Sequence, residues 1–102
     1  MCKLAFTLMR VAAQAIGVNS AQIMPAFTRP TTWLRLLRYP PTPPDSPQGP
    51  YGSAPHTDYG CLTILAQDDV GGLQVQSPAG EWIDAPLVPG AFLVNVGDIL
   101  HR

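Results

Sequence analysis

The chain has 102 residues, room for one small domain with a modest core, since a chain of this size buries about 60 to 70 per cent of its unfolded surface. Apolar residues make up 46% of it and charged ones 13%, which excludes a charge-driven disordered chain. The net charge of −1 offers no basic face to nucleic acid or anionic lipid, so small molecules or proteins are the expected partners.

From Leu4 to Ile16 the apolar residues Leu4, Leu8, Val11, Ala12, Ala15 and Ile16 recur every three or four positions, which predicts an amphipathic helix ended by Gly17. Lys3 and Arg10 flank or interrupt this run and no small-residue cleavage site follows, so it reads as neither signal peptide nor membrane span. Asn19 or Ser20 is placed to cap a second, short helix over "AQIM", with Pro25 kinking or ending it. The Trp, Leu, Tyr and Thr content of "TTWLRLLRYP" predicts a strand. Six prolines between Pro40 and Pro50 then impose an extended connection.

Beyond Gly52 short apolar runs alternate with Gly, Pro and Asp punctuation: "CLTILAQ", "LQVQS", "EWIDAP" and "AFLVNV" as strands, with "DDVGG", "PAG" and "VPG" as turns. Strands at intervals of about 8 to 12 residues are the pattern of a sandwich, jelly roll or barrel. Asp68 and Asp69 fit a hairpin turn better than a second acidic site. Glu81 and Asp84 are expected as surface charges, Asp98 as a turn residue, Arg35 facing water, and Trp33 and Trp82 as core or pocket walls. Cys2 and Cys61 share no ligand spacing and read as free thiols of a reducing compartment, so a cytoplasmic location is expected.

The residues that carry chemistry are His56 and Asp58 in "APHTDYGCLTIL". In a strand successive side chains alternate faces, so the two point the same way and can reach one ion, while Thr57 points elsewhere. One neutral imidazole with one carboxylate suits a divalent metal, and a second histidine would complete the facial triad of non-haem Fe(II) oxygenases, leaving three positions open. His-x-Asp alone also describes an ordinary histidine beside a turn-capping aspartate. The absence of His-x-His and His-Glu-x-x-His argues against a zinc hydrolase.

Taken in order, "LRLLRYPP", "HTDYGCLTILAQDDVGGLQVQ", "GEWIDAP" and "VPGAFLVNVGDIL" resemble the core of the iron(II)- and 2-oxoglutarate-dependent dioxygenases of the isopenicillin N synthase-like family, over roughly residues 30 to 102. The resemblance implies an α+β, mainly β fold: a helical support segment at 1–30, and at 31–102 the N-terminal part of an incomplete double-stranded β-helix, or jelly roll. It implies His56 and Asp58 as iron ligands, Tyr39 as a hydrogen-bond partner of 2-oxoglutarate, and no catalytic side chain beyond the ligands. Leu37 stands where many members have an asparagine. Implied cofactors are Fe(II) and 2-oxoglutarate as cosubstrate; implied partners are a small organic substrate and dioxygen, with no nucleic acid and no membrane. The reaction would couple decarboxylation of 2-oxoglutarate, giving succinate and carbon dioxide, to hydroxylation, desaturation or ring closure.

The family's distal histidine and its Arg-x-Ser have no counterpart here, and His101 stands too close after "GDIL" to take the ligand's place. The expectation is therefore a fragment of such an enzyme, unable to turn over 2-oxoglutarate by itself. The alternative is a catalytically inactive, truncated β-helix piece serving as a structural or metal-binding module.

Overall fold

The computed structural model describes residues 1–43, 45–47 and 51–100. His101 and Arg102 lie outside the described residues. The chain forms two compact units, Met1–Thr57 and Asp58–Arg102, each built from its own local logic.

The first unit opens with α1 (Cys2–Ala15). Gly17 ends it at φ 75°: the Val18 N–H donates to the Ala13 carbonyl at 2.9 Å and the Gly17 N–H to the Gln14 carbonyl at 3.0 Å. That pair of bonds is a Schellman motif, which satisfies the orphan carbonyls of the last turn and needs a residue tolerant of positive φ at its bend. The buried stripe is turned from the expected one. Met9 and Ala13 are the buried apolar side chains among the described residues, while Val11 and Ile16 face solvent. Periodicity fixes the period of a helix, and the contact with the next helix selects which apolar residues are covered.

That next helix is α2 (Ser20–Ile23), which packs on α1. Asn19 caps it by accepting the Ala21 N–H at 2.9 Å on its Oδ1. A 3₁₀ turn (Met24–Phe27) follows directly and contains Pro25, so the proline tightens the chain where an α-helix would have needed its N–H. Residues 31–40, expected as a strand, form no ladder among the described residues and are exposed throughout, with Trp33 at 78% and Leu36 at 91%. Strand composition supplies side chains that suit a sheet, but a strand exists only where a neighbour takes its backbone bonds.

Among its described residues the second unit holds four strands: β1 (Leu62–Leu65), β2 (Gln74–Gln76), β3 (Trp82–Asp84) and β4 (Leu93–Val96). They pair as two antiparallel ladders, β1 with β4 and β2 with β3, so the inner hairpin is nested inside the outer pair. The hairpin turn is Ser77–Gly80: Pro78 sets φ, the Gly80 N–H returns to the Ser77 carbonyl at 2.9 Å, and Gly80 takes φ 86°. Gln74 Nε2 donates to Asp84 Oδ1 across the ladder at 2.8 Å. "DDVGG" is a turn, as expected, with the Val70 N–H donating to Asp68 Oδ1 at 3.1 Å. It is not a hairpin, because β1 and β2 belong to different ladders. Trp82 is 47% exposed and forms no core wall.

The described fold is thus α+β. Its helices lie in the first unit and its antiparallel ladders in the second. No described helix is long and apolar enough to cross a membrane.

Candidate metal site at the head of β1

His56 and Asp58 do not stand in a strand; they lie in an irregular segment ahead of β1, which starts only at Leu62. His56 belongs to the first unit, which ends at Thr57, and Asp58 begins the second, so each is positioned by its own surroundings.

His56 is exposed, and its Nδ1 lies 2.8 Å from the Ala54 carbonyl oxygen. A carbonyl can only accept, so Nδ1 carries the proton and donates. In the neutral ring the lone pair is then on Nε2, the nitrogen a metal would take. A backbone carbonyl that fixes the tautomer in this way is the usual outer support of a metal-binding histidine.

Asp58 is half-buried and is held at two points from the far end of the unit. Asn95 Nδ2 donates to Asp58 Oδ2 at 3.2 Å, and the Asp98 N–H donates to the Asp58 carbonyl at 2.8 Å. Between these two donors sits Gly97, buried, whose N–H donates to the Cys61 carbonyl at 2.9 Å and continues the β1·β4 ladder. A Cβ on Gly97 would run into the Gly60 carbonyl oxygen and lie 2.8 Å from that of Asp58, so only glycine permits the approach.

Asn95 and Gly97 were not singled out by sequence reasoning, although a signal existed. Along β4 the residues alternate half-buried and exposed, which puts Asn95 on the covered face with Leu93. A polar side chain on the covered face of an otherwise apolar strand needs a partner, and Asp58 is that partner. Asp98 is a turn residue, as expected.

Tyr39 belongs to the first unit and is about half exposed. Its ring lies over Gly52, where an added Cβ would come within 3.0 Å of Tyr39 Cβ, Cγ and Cδ1. The glycine therefore leaves room for the ring to rest there. Among the described residues no group of three or more His, Cys, Asp or Glu side chains gathers as a metal site, so His56 and Asp58 supply at most part of a ligand set there.

A shallow cleft of about 160 Å³, lined in part by Leu65, Leu87, Phe92 and Leu93, lies at the opposite end of the β1·β4 ladder from Asp58. Ligand pockets usually measure about 300 to 1,000 Å³, so this one is too small to compete as a site. Burial pushes the Cys61 thiol above its ordinary pKa, which makes it a poor thiolate ligand.

An imidazole and a carboxylate, with no thiolate to favour a softer metal, are donor types that a ferrous ion accepts. The chain is 38% identical over 102 residues to the 2-oxoglutarate-Fe(II) type oxidoreductase hxnY of Emericella nidulans, covering 98% of this chain and 29% of that protein. It is 44% identical over 98 residues to gibberellin 2-beta-dioxygenase 8 of Arabidopsis thaliana, covering 96% of this chain and 28% of that protein. Among solved structures, the apo form of a C-terminally truncated Neurospora crassa T7H superposes with a TM-score of 0.64 at 31% identity, over 98% of this chain and 36% of that one. The chain thus spans less than a third of the length of these curated relatives. The sequence model of the 2OG-Fe(II) oxygenase superfamily matches residues 30–102, and the chain belongs to that family.

Proposed function

We propose that this chain is part of a non-haem dioxygenase that oxidises a small organic substrate at the expense of 2-oxoglutarate and dioxygen, and that His56 and Asp58 are two of its iron ligands. The observation that carries the reading is the Nδ1–H bond of His56 to Ala54, a backbone support of the kind metal-binding histidines use. Residues 31–102 are assigned to a partial double-stranded β-helix, consistent with the nested pairing of β1 with β4 around β2 and β3, and residues 1–30 to its helical support.

When bound, Fe(II) with 2-oxoglutarate supplies the oxidising chemistry, with succinate and carbon dioxide as co-products. The chain's own residues do the positioning. His56 donates at Nδ1 to hold its ring in place, Asp58 contributes a carboxylate, and Tyr39 offers its hydroxyl to 2-oxoglutarate. Ferrous iron and two free thiols suit a reducing compartment, and we assign the protein to the cytoplasm on that ground.

The test is succinate formation from 2-oxoglutarate with Fe(II) in air, measured for the enzyme that carries this chain and for its His56→Ala and Asp58→Ala variants. Both variants should lose Fe(II)-dependent turnover. Turnover retained in either one sinks the assignment of that ligand.

A further inference from the structure

The β4 strand does more than complete a ladder, because its end reaches back to the residues ahead of β1. Asn95 and Asp58 are 37 positions apart, yet Asn95 Nδ2 bonds Asp58 Oδ2 at 3.2 Å, and this bond is partly buried. The Asp98 N–H holds the backbone of the same aspartate at 2.8 Å. The Gly97 backbone lies so close to Gly60 and Asp58 that a side chain there would push them apart. Asn95 projects on the half-buried face of β4, opposite Thr63 of β1, where water competes less for its amide. A carboxylate gripped at its backbone by one donor and at one oxygen by another has little freedom to rotate.

We propose that Asn95 is a positioning residue for the metal: by donating to Oδ2 it turns Asp58 into a one-oxygen ligand and fixes the direction from which that ligand approaches. The inference rests on the reading of Asp58 as a ligand. The reason is geometric. A carboxylate free to rotate can bind an ion through both oxygens and so occupy a second coordination position. An oxygen already committed to an amide N–H is a weaker donor to the ion, so binding through one oxygen is favoured and a position stays open. Such outer supports usually matter by about 10- to 100-fold in metal affinity.

The experiment is a double-mutant cycle read by Co(II) titration, in affinity and in the visible spectrum of the bound ion, with the metal-free melting temperature as control. Asn95→Leu keeps the size and removes the donor; Asn95→Ala removes it with no steric demand, should the leucine variant fail to fold. Either change should lower Co(II) affinity about 10- to 100-fold and alter the spectrum. In an Asp58→Ala background the same change should have no further effect, because Asn95 acts through Asp58. Wild-type affinity and spectrum in both Asn95 variants, beside a loss in Asp58→Ala, would overturn the role of Asn95 and leave Asp58 a ligand. An additive loss in the double variant would also overturn it, by tracing the effect to folding. Undiminished affinity in Asp58→Ala would remove the ligand reading and this inference with it.

Discussion

Two protonation states decide what the residues near the head of β1 can do. His56 must keep its proton on Nδ1 to hold the Ala54 carbonyl, so replacement of that ring by one that cannot donate there should cost more than lost packing. Cys61, half-buried just before β1, has its thiol pushed up by burial. Iodoacetamide, followed by mass spectrometry below the ordinary thiol range, should label exposed Cys2 first and Cys61 slowly. The sign follows for stability: a group whose pKa is raised in the folded state contributes fully below the unfolded thiol value, and that contribution is lost as pH climbs through the folded one. Alkali should therefore weaken the fold around Cys61, and a Cys61→Ser variant should lose that pH dependence. At Tyr39 the hydroxyl is the group at stake. Tyr39→Phe in the enzyme that carries this chain should raise KM for 2-oxoglutarate by roughly 2- to 12-fold, the worth of one hydrogen bond, with kcat little changed.

Among the elements, those held by short-range bonds were legible in the sequence. Gly17 as the stop of α1, Asn19 as the cap of α2, and Pro78 with Gly80 in the β2–β3 turn all act on bonds within a few residues of themselves. Asn19→Ala should cost about 1 kcal/mol, read as reduced helical circular dichroism and a lower melting temperature. What the sequence did not disclose depends on partners far along the chain. The strand expected at residues 31–40 had the right composition and no described neighbour. "DDVGG" had turn chemistry, but which ladder each flanking strand joins is set by packing. The candidate ligands were read from the motifs around them and from a spacing that assumed a strand, which residues 56–58 do not form, whereas the Asn95 support was hidden by a separation of 37 residues. Gly97 belongs to this scale as well. Gly97→Ala has to move the Gly60 and Asp58 backbone, and should destabilise the protein by about 1–3 kcal/mol in a denaturant titration, like other overpacked sites. A Gly97→Ala melt indistinguishable from wild type would show that the approach is slacker than the geometry indicates.

For the whole molecule, the described residues bury few apolar side chains. Met9 and Ala13 are covered, while Trp33, Leu34, Leu36 and Val70 are each more than three-quarters exposed. Exposed apolar side chains are what the dye ANS binds, so the 102-residue chain should take it up with a marked rise in fluorescence. Family membership explains the arrangement of motifs over residues 30–102, and the metal proposal then stands or falls on two side chains. Mn(II) titrated into the isotope-labelled chain, followed by paramagnetic broadening in amide NMR spectra, addresses them directly and works even for weak binding. Assignment of His56 and Asp58 as ligands predicts that the signals of His56, Thr57 and Asp58 broaden first, and that His56→Ala and Asp58→Ala each suppress this. Broadening centred on Asp68 and Asp69, or unchanged by either substitution, would contradict it.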